Sequence, residues 1–418
     1  MRYPKMIKVV QRLDDSEIGN IDLAVSAEMQ KIELPSRIKP GSKVAITVGS
    51  RGITDNVSIT RAIIAKIREI KAKPFVVPAM GSHGGATAEG QKAILSEYGI
   101  TESNVGAPIV SSMEVDEIGV TPSGIPVMID HAANRADHII VVNRVKPHTE
   151  FQGEVESGLM KMMVIGLGKL KGTVTAHNYA VKYGYEKTIM DMGQCILANA
   201  PVVIGIGIIE NGFGRTSQIS ACVPERLIDA EKEMLRIARQ KCPKLPFDQM
   251  DILIVDECGK EISGTGMDTK VIGRIMNIYE LEVNHPQITR IILRGLTEKT
   301  HGNAIGIGLA DFITRKVADK IDYRSTYINS VTAVTPEKAR LPIVCENDKE
   351  AVDFAIATAG PVDADSLKLV WIKNTSTLGE MHISEGLQNE AQKNKAVKIL
   401  DEVFDLGFDA NGNLKRFT

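Results

Sequence analysis

The sequence is poor in cysteine. Cys195, Cys222, Cys242, Cys258 and Cys345 are an odd set of five in 418 residues, with no Cys-X-X-Cys pair. Such a set argues against a disulfide framework and against a cysteine-rich zinc site, and it suits a reducing compartment. Long apolar runs are also missing. No stretch approaches the roughly 18 uninterrupted apolar residues of a membrane span, and the opening Met-Arg-Tyr-Pro-Lys-Met-Ile-Lys has no apolar signal core. A soluble, cytoplasmic chain with no membrane partner is expected. Neither sign of charge dominates: 50 Lys and Arg stand against 52 Asp and Glu, a net charge of −2. Without a basic stripe carrying interleaved aromatics, a nucleic-acid partner is not expected. Internal repeats and low-complexity segments are absent as well.

The 43% of hydrophobic residues is ample for packed cores, and the length exceeds what one core usually serves, so two domains are expected. Short apolar runs alternate with helical patterns, as in strands joined by crossover helices. Lys43 to Val48, Pro74 to Pro78, His138 to Asn143 and Val202 to Ile209 read as buried strands. Asp55-Asn56 caps a helix with Ile59, Ile63, Ile67 and Ile70 on one face. Thr87 caps the next, which Gly99 ends. A helix from Pro224 to about Gln240 stops at Cys-Pro-Lys-Leu-Pro, where two prolines in five residues mark a domain boundary. A second series follows, with Asp251 to Asp256, Ile288 to Leu293 and Leu367 to Lys373 as strands and an amphipathic stretch around Ala310 to Ile321. Asn411-Gly412 between Phe408 and Leu414 signals a hairpin. The expected fold is two α/β domains with mostly parallel sheets and the active site in the cleft between them. Residues 1–245 form the domain with the chemistry, 246–400 close the substrate site, and 401–418 form a hairpin that packs back on the first domain.

Three histidines stand out. His83, in Gly81-Ser-His-Gly-Gly-Ala-Thr, follows a strand and precedes a helix, the place where open α/β sheets bind ligands. Gly84 and Gly85 let a backbone approach a ligand, and the helix N-terminus favours an anion; a tight turn with a capping histidine explains the same residues. His148, in Asn143-Arg-Val-Lys-Pro-His-Thr-Glu-Phe, ends a second strand among charges, as an acid/base or as a solvated loop histidine. His177 follows a run from Ser157 to Gly172 in which Gly166 and Gly168 only loosely resemble a dinucleotide loop. Lys161, amid Leu159, Met160, Met162 and Met163, is either snorkelling or chemically used.

In order, these pieces resemble the nickel-pincer lactate racemase family, most strongly over residues 44–180. The resemblance implies a racemase or 2-epimerase of an α-hydroxy acid working by hydride transfer through a bound α-keto acid. Its cofactor is a nickel-pincer nucleotide, a pyridinium 3,5-bisthiocarboxylic acid mononucleotide holding Ni, joined covalently to Lys161. His177, 16 residues on, falls on the nickel ligand, and His83 and His148 on the acid/base pair. Ser50, Gly84, Gly85, Gly166 and Gly168 are the expected cofactor contacts, and Arg51, Lys260 and Thr269 the expected substrate contacts. Cofactor maturation enzymes are the implied partners, and a homo-oligomer is left open. Val48 and Ser50 depart from the acidic residue and threonine common at those places in the family. Between Asp256 and Thr269 the family's glutamine is not found. The polar groups from Lys260 to Thr269 suit a sugar acid better than lactate. Two other functions stay in view: a nicotinamide-dependent oxidoreductase, suggested by the glycines, and a non-catalytic carrier of the pincer cofactor.

Overall fold

In the computed structural model, which describes residues 2–50, 52–283, 285–415 and 417, the first strand, β1 (Lys5–Gln11), is not part of the unit that follows it in sequence. The chain divides into two compact units, residues 14–242 and residues 1–13 with 243–418. The break after Cys242 falls at the Cys-Pro-Lys-Leu-Pro segment, where proline stops the preceding helix Leu227–Lys241. Residues 1–13 are reassigned to the second unit because β1 pairs antiparallel with two of its strands. Arg51 lies outside the described residues.

Residues 14–242 carry β2 (Lys43–Val48), β3 (Lys73–Pro78), β4 (Val115–Val120), β5 (Pro126–Asp130), β6 (His138–Arg144), β7 (Val202–Glu210) and β8 (Thr216–Cys222). Five of these form a sheet in the order β3-β2-β6-β7-β8, parallel except for β8, while β4 and β5 pair as a separate antiparallel ribbon. Both faces of the sheet are covered. Val44 and Ile46 face one core with Ile140 and Val142, whereas Ala45 faces the other with Ile139 and Val141. That alternation of two apolar faces makes a parallel strand read as an unbroken hydrophobic run. Helix Asn56–Glu69 buries Ile59, Ile63 and Ile67 against the first face.

The other unit contains β9 (Gln249–Val255), β10 (Gln287–Leu293), β11 (Phe312–Thr314), β12 (Ile343–Cys345), β13 (Leu369–Ile372), β14 (Glu380–Ser384) and β15 (Val397–Asp405). With β1 they make one sheet in the order β12-β11-β10-β9-β13-β14-β1-β15, parallel from β12 to β13 and antiparallel beyond. The stretch from Ala310 to Ile321 is therefore corrected: it is a three-residue strand running into the short helix Arg315–Ala318. The tail is corrected too, because β15 pairs with β1 within this unit. The tip around Gly412 (φ +76°) closes the expected turn, bridging Phe408 to Leu414. Among the described residues no helix is long and apolar enough to cross a membrane.

Candidate active site

Three loops leave the carboxyl ends of the adjacent strands β3, β2 and β6, and they carry His83, Ser50 and His148. This is the edge where open α/β sheets place ligands. Ser50 Oγ is hydrogen-bonded to His83 Nδ1. The loop behind His83 is shaped by two left-handed glycines, Gly84 (φ +67°) and Gly85 (φ +63°). A Cβ on Gly84 would lie 2.5 Å from Gly90 C, so close packing on the next helix requires that glycine, whereas Gly85 borders open space. Thr87 caps that helix by accepting from Gly90 N, as the sequence suggests.

A buried ion pair lies beneath this loop. Lys169, fully buried, sits 3.2 Å from the buried Asp130 carboxylate. It also donates to Pro78 O, at the end of β3, and to Gln91 Oε1 at 3.1 Å. Gln91 in turn donates to Gly81 O at 2.9 Å and His83 O at 3.4 Å. Burial pushes the Lys169 pKa down and the Asp130 pKa up, each countered by the other's charge. The chain from Asp130 through Lys169 and Gln91 thus holds the backbone of the His83 loop. The sequence marks Lys169 only as a lysine breaking a glycine run; its partners come from β3, β5 and the helix Ala88–Glu97.

The second histidine belongs to a tighter group. His148 Nε2 lies 2.6 Å from Lys161 Nζ. The imidazole packs on Phe151 (centroids 4.7 Å) and Tyr185 (6.3 Å), and the Tyr185 ring meets His177 edge-on at 5.8 Å. Three of the chemistry-bearing side chains, His148, Lys161 and His177, are brought together around Phe151 and Tyr185, both buried. Lys161 ends the short helix Leu159–Lys161, where a π turn follows, with Leu167 N donating to Met162 O at 3.0 Å. Such turns often mark functional sites. The start of this helix is capped from below by the buried Glu231, which accepts from Met160 N at 2.8 Å and whose pKa burial raises to about 7. His177 lies on the helix Lys169–Tyr183, facing Tyr185.

Gly166 and Gly168 have a packing explanation. A Cβ on Gly166 would stand 2.8 Å from Ala79 O, and one on Gly168 2.2 Å from Val164 O. Lys260 and Thr269 lie in the other unit. Lys260 is hydrogen-bonded to Asn329 Oδ1, and Thr269 is buried at the start of the helix Thr269–Ile272. Of their neighbours, Thr265 Oγ1 donates to Met267 O at 2.7 Å and Asp268 accepts from Lys270 N at 3.0 Å, so both side chains serve their own loop.

Sequence comparison with protein families matches residues 6–188 to the lactate racemase N-terminal domain. This part of the chain is lactate racemase-like. The fold agrees. The lactate racemase apoprotein from Thermoanaerobacterium thermosaccharolyticum superposes with a TM-score of 0.53 at 12% identity, over 85% of this chain and 96% of that one. A crystallised protein from Thermotoga maritima gives a TM-score of 0.52 at 13% identity, over 76% of this chain and 81% of that one. At such identities the likeness speaks for the fold. No curated protein matches the chain in sequence.

The chemistry of the donor set bears on a cofactor. Among the described residues no three His, Cys, Asp or Glu are grouped to hold a metal. A metal at His177 would need further donors from a bound group; the Lys161 amine stands beside His148, which shares the Tyr185 wall with His177.

Proposed function

We propose that this lactate racemase-like chain is a racemase or 2-epimerase of an α-hydroxy acid, dependent on a nickel-pincer nucleotide. The observation that carries the reading is the grouping of Lys161, His148 and His177 around Phe151 and Tyr185. Lys161 would anchor the group and His177 would bind its metal, with His83 and His148 at strand ends on either side of β2. When bound, the group supplies a hydride acceptor and donor. That chemistry suits the substrate, because the carboxylate beside the α-carbon disfavours a carbanion. One histidine takes the hydroxyl proton as the α-hydrogen leaves, giving a bound α-keto acid. The other returns a proton to the opposite stereochemistry. Ser50 orients the His83 ring, and the Asp130–Lys169–Gln91 chain orients its loop, as preorganised catalysis requires.

The test is the intact mass and nickel content of protein made together with the expected maturation enzymes. Loaded protein is then incubated in turn with lactate, malate and gluconate, and the C2 configuration is followed by chiral chromatography. A covalent adduct, bound nickel and inversion at C2 are expected, with gluconate turned over in preference to lactate. A loaded protein that inverts none of the acids and hands its cofactor to another enzyme would make it a carrier. An adduct-free protein that binds a nicotinamide nucleotide would make it an oxidoreductase.

A further inference from the structure

Residues 147–156 form a closed loop with His148 near its start. Lys146 N donates to Ser157 O at 2.8 Å and Ser157 N to Lys146 O at 3.2 Å, so the two ends meet. Compact loops of this kind are filled by their own side chains. Here the fillers are the Phe151 ring and the Glu156 carboxylate, both buried. Glu156 Oε2 accepts from His148 N at 2.5 Å, while Oε1 accepts from Gly153 N at 3.2 Å and from Arg239 Nη2 at 2.6 Å. The same Nη2 donates to Gly153 O at 2.6 Å. A buried carboxylate persists only where it is paired and hydrogen-bonded, and these donors meet that demand. The backbone amide of His148 has one hydrogen, and Glu156 takes it.

Arg239 belongs to the helix Leu227–Lys241, whose Glu231 also accepts from Met160 N beneath the Lys161 turn. Leu227, Met234, Leu235 and Ala238 seat this helix on the core. Its two contacts lie about 12 Å apart along the axis and reach the two ends of the segment that runs from His148 to Lys161. Between them, Lys232 pairs with Glu154 of the loop at 2.5 Å.

We propose that Arg239 and Glu156 are positioning residues for His148, acting through its backbone amide, and that the helix Leu227–Lys241 sets the separation of His148 from Lys161. The catalytic meaning of this assignment rests on the function proposed above, whereas the clamp on the amide does not. The two carboxylates of the helix and the loop differ in a way that isosteric substitution exposes. Both oxygens of Glu156 accept, so in Glu156→Gln the new NH2 faces a backbone N–H in either orientation, that of His148 or that of Gly153. Glu231→Gln keeps its acceptor on Met160 N. Arg239→Lys keeps the clamp as well, because a single nitrogen serves both Gly153 O and Glu156 Oε1. The Arg239 side chain is 44% exposed, so Arg239→Met opens no cavity in the core.

The first measurement is hydrogen exchange at single-amide resolution on the full chain made without maturation enzymes, at pH 7. Arg239→Met and Glu156→Gln are expected to speed exchange of the His148 amide on the order of tenfold or more by local opening, and Arg239→Lys and Glu231→Gln to leave it slow. The Met160 amide is the reference within the same molecule, since a general loss of stability speeds both amides alike. The second measurement is turnover of protein loaded with the aid of maturation enzymes. Arg239→Met should lower kcat on the order of 10- to 100-fold with KM unchanged, and Arg239→Lys should restore most of it. A His148 amide no faster in Arg239→Met than in the unaltered chain, equal acceleration of both amides, or a loss of turnover carried by KM overturns the proposal. The two readings fail separately. The exchange effect in a chain that inverts no α-hydroxy acid sinks only the functional reading, and full turnover by loaded Arg239→Met sinks only this one.

Discussion

In residues 14–242 the carboxyl ends of the parallel strands run into loops with Ser50, His83 and His148, and buried charge lies below them. The other unit fills the corresponding edge with the charges themselves. Asp256 follows β9 and Arg294 follows β10; Arg294 is ion-paired with Asp256 and with Asp348 at 2.7 Å, and donates to Leu414 O at 2.9 Å. Trp371, the single tryptophan, donates to Asp256 Oδ1 at 2.6 Å and lies against the guanidinium. Leu414 N closes the cluster on Asp348 at 2.9 Å, which pins the C-terminal turn to the sheet. One edge carries imidazoles on its loops. The other spends its charges on holding the chain's own tail, and the contrast warns against reading every charged strand end as a site.

The largest expected effect breaks the second edge. Arg294→Met takes the guanidinium from the half-buried Asp256 and from the buried Asp348, which keeps Lys316 at 3.2 Å, and costs about 3–5 kcal/mol. Urea unfolding read by Trp371 fluorescence reports that unit directly. The adduct mass of protein made with the expected maturation enzymes should be unchanged, and a parallel loss of it would mean that the two edges are not separate devices. The matching change in the first unit, Lys169→Met, strands Asp130 and takes a donor from Gln91. About 3 kcal/mol of stability should go. Turnover of loaded enzyme should fall further than the unfolded fraction explains, because the His83 loop loses its support. Turnover tracking the folded fraction alone would reduce Lys169 to a stability residue.

A third effect separates the histidines of the two units. His382, on β14, is packed among Trp371, Phe404 and Phe417, and burial pushes its pKa down to about 4. Between pH 6.5 and 4 the unfolded chain takes up a proton that the folded unit refuses. Stability is thus whole above pH 6.5 and falls by up to about 2 kcal/mol toward pH 4, after allowance for solvent screening. His382→Leu should flatten that slope in Trp371-monitored urea titrations at pH 7, 6, 5 and 4. An unaltered slope would place the acid sensitivity elsewhere.

What was legible in the sequence follows the range of the interactions. β2 matches its expected limits and the other parallel strands of the first unit come within a residue of theirs, because burial on both faces leaves a continuous apolar run. β11 was hidden in a helical reading because three residues are too few to establish a period. The pairing of β1 with β14 and β15 spans nearly the whole chain and has no local signature. At the site, His83, His148, Lys161 and His177 are visible from residue type and context. Tyr185, Gln91, Glu156 and Glu231 are not, since each acts only through a contact created by packing between distant elements.

The smallest expected effect concerns Glu231, which supports the Lys161 turn as Lys169 supports the His83 loop, but without a cation. Its Oε2 accepts from Met160 N, and among the described residues no hydrogen bond reaches Oε1. Burial raises its pKa from the ordinary carboxyl value of 4.5 to about 7. The folded unit therefore keeps a proton that the unfolded chain releases between pH 4.5 and 7. Its contribution is full below pH 4.5 and is lost as pH rises through 7. Glu231→Gln keeps an oxygen to accept from Met160 N and removes the ionisation, so at pH 8 the variant should be more stable by about 1–2 kcal/mol. Below pH 4.5 the acid and the amide are both uncharged, and the difference should shrink to a few tenths. Urea titrations of residues 14–242, followed by hydrogen exchange of the Met160 amide at pH 5 and 8, check both limits. Equal stabilities at the two pH values would mean that Glu231 is ionised throughout and that an additional donor satisfies Oε1.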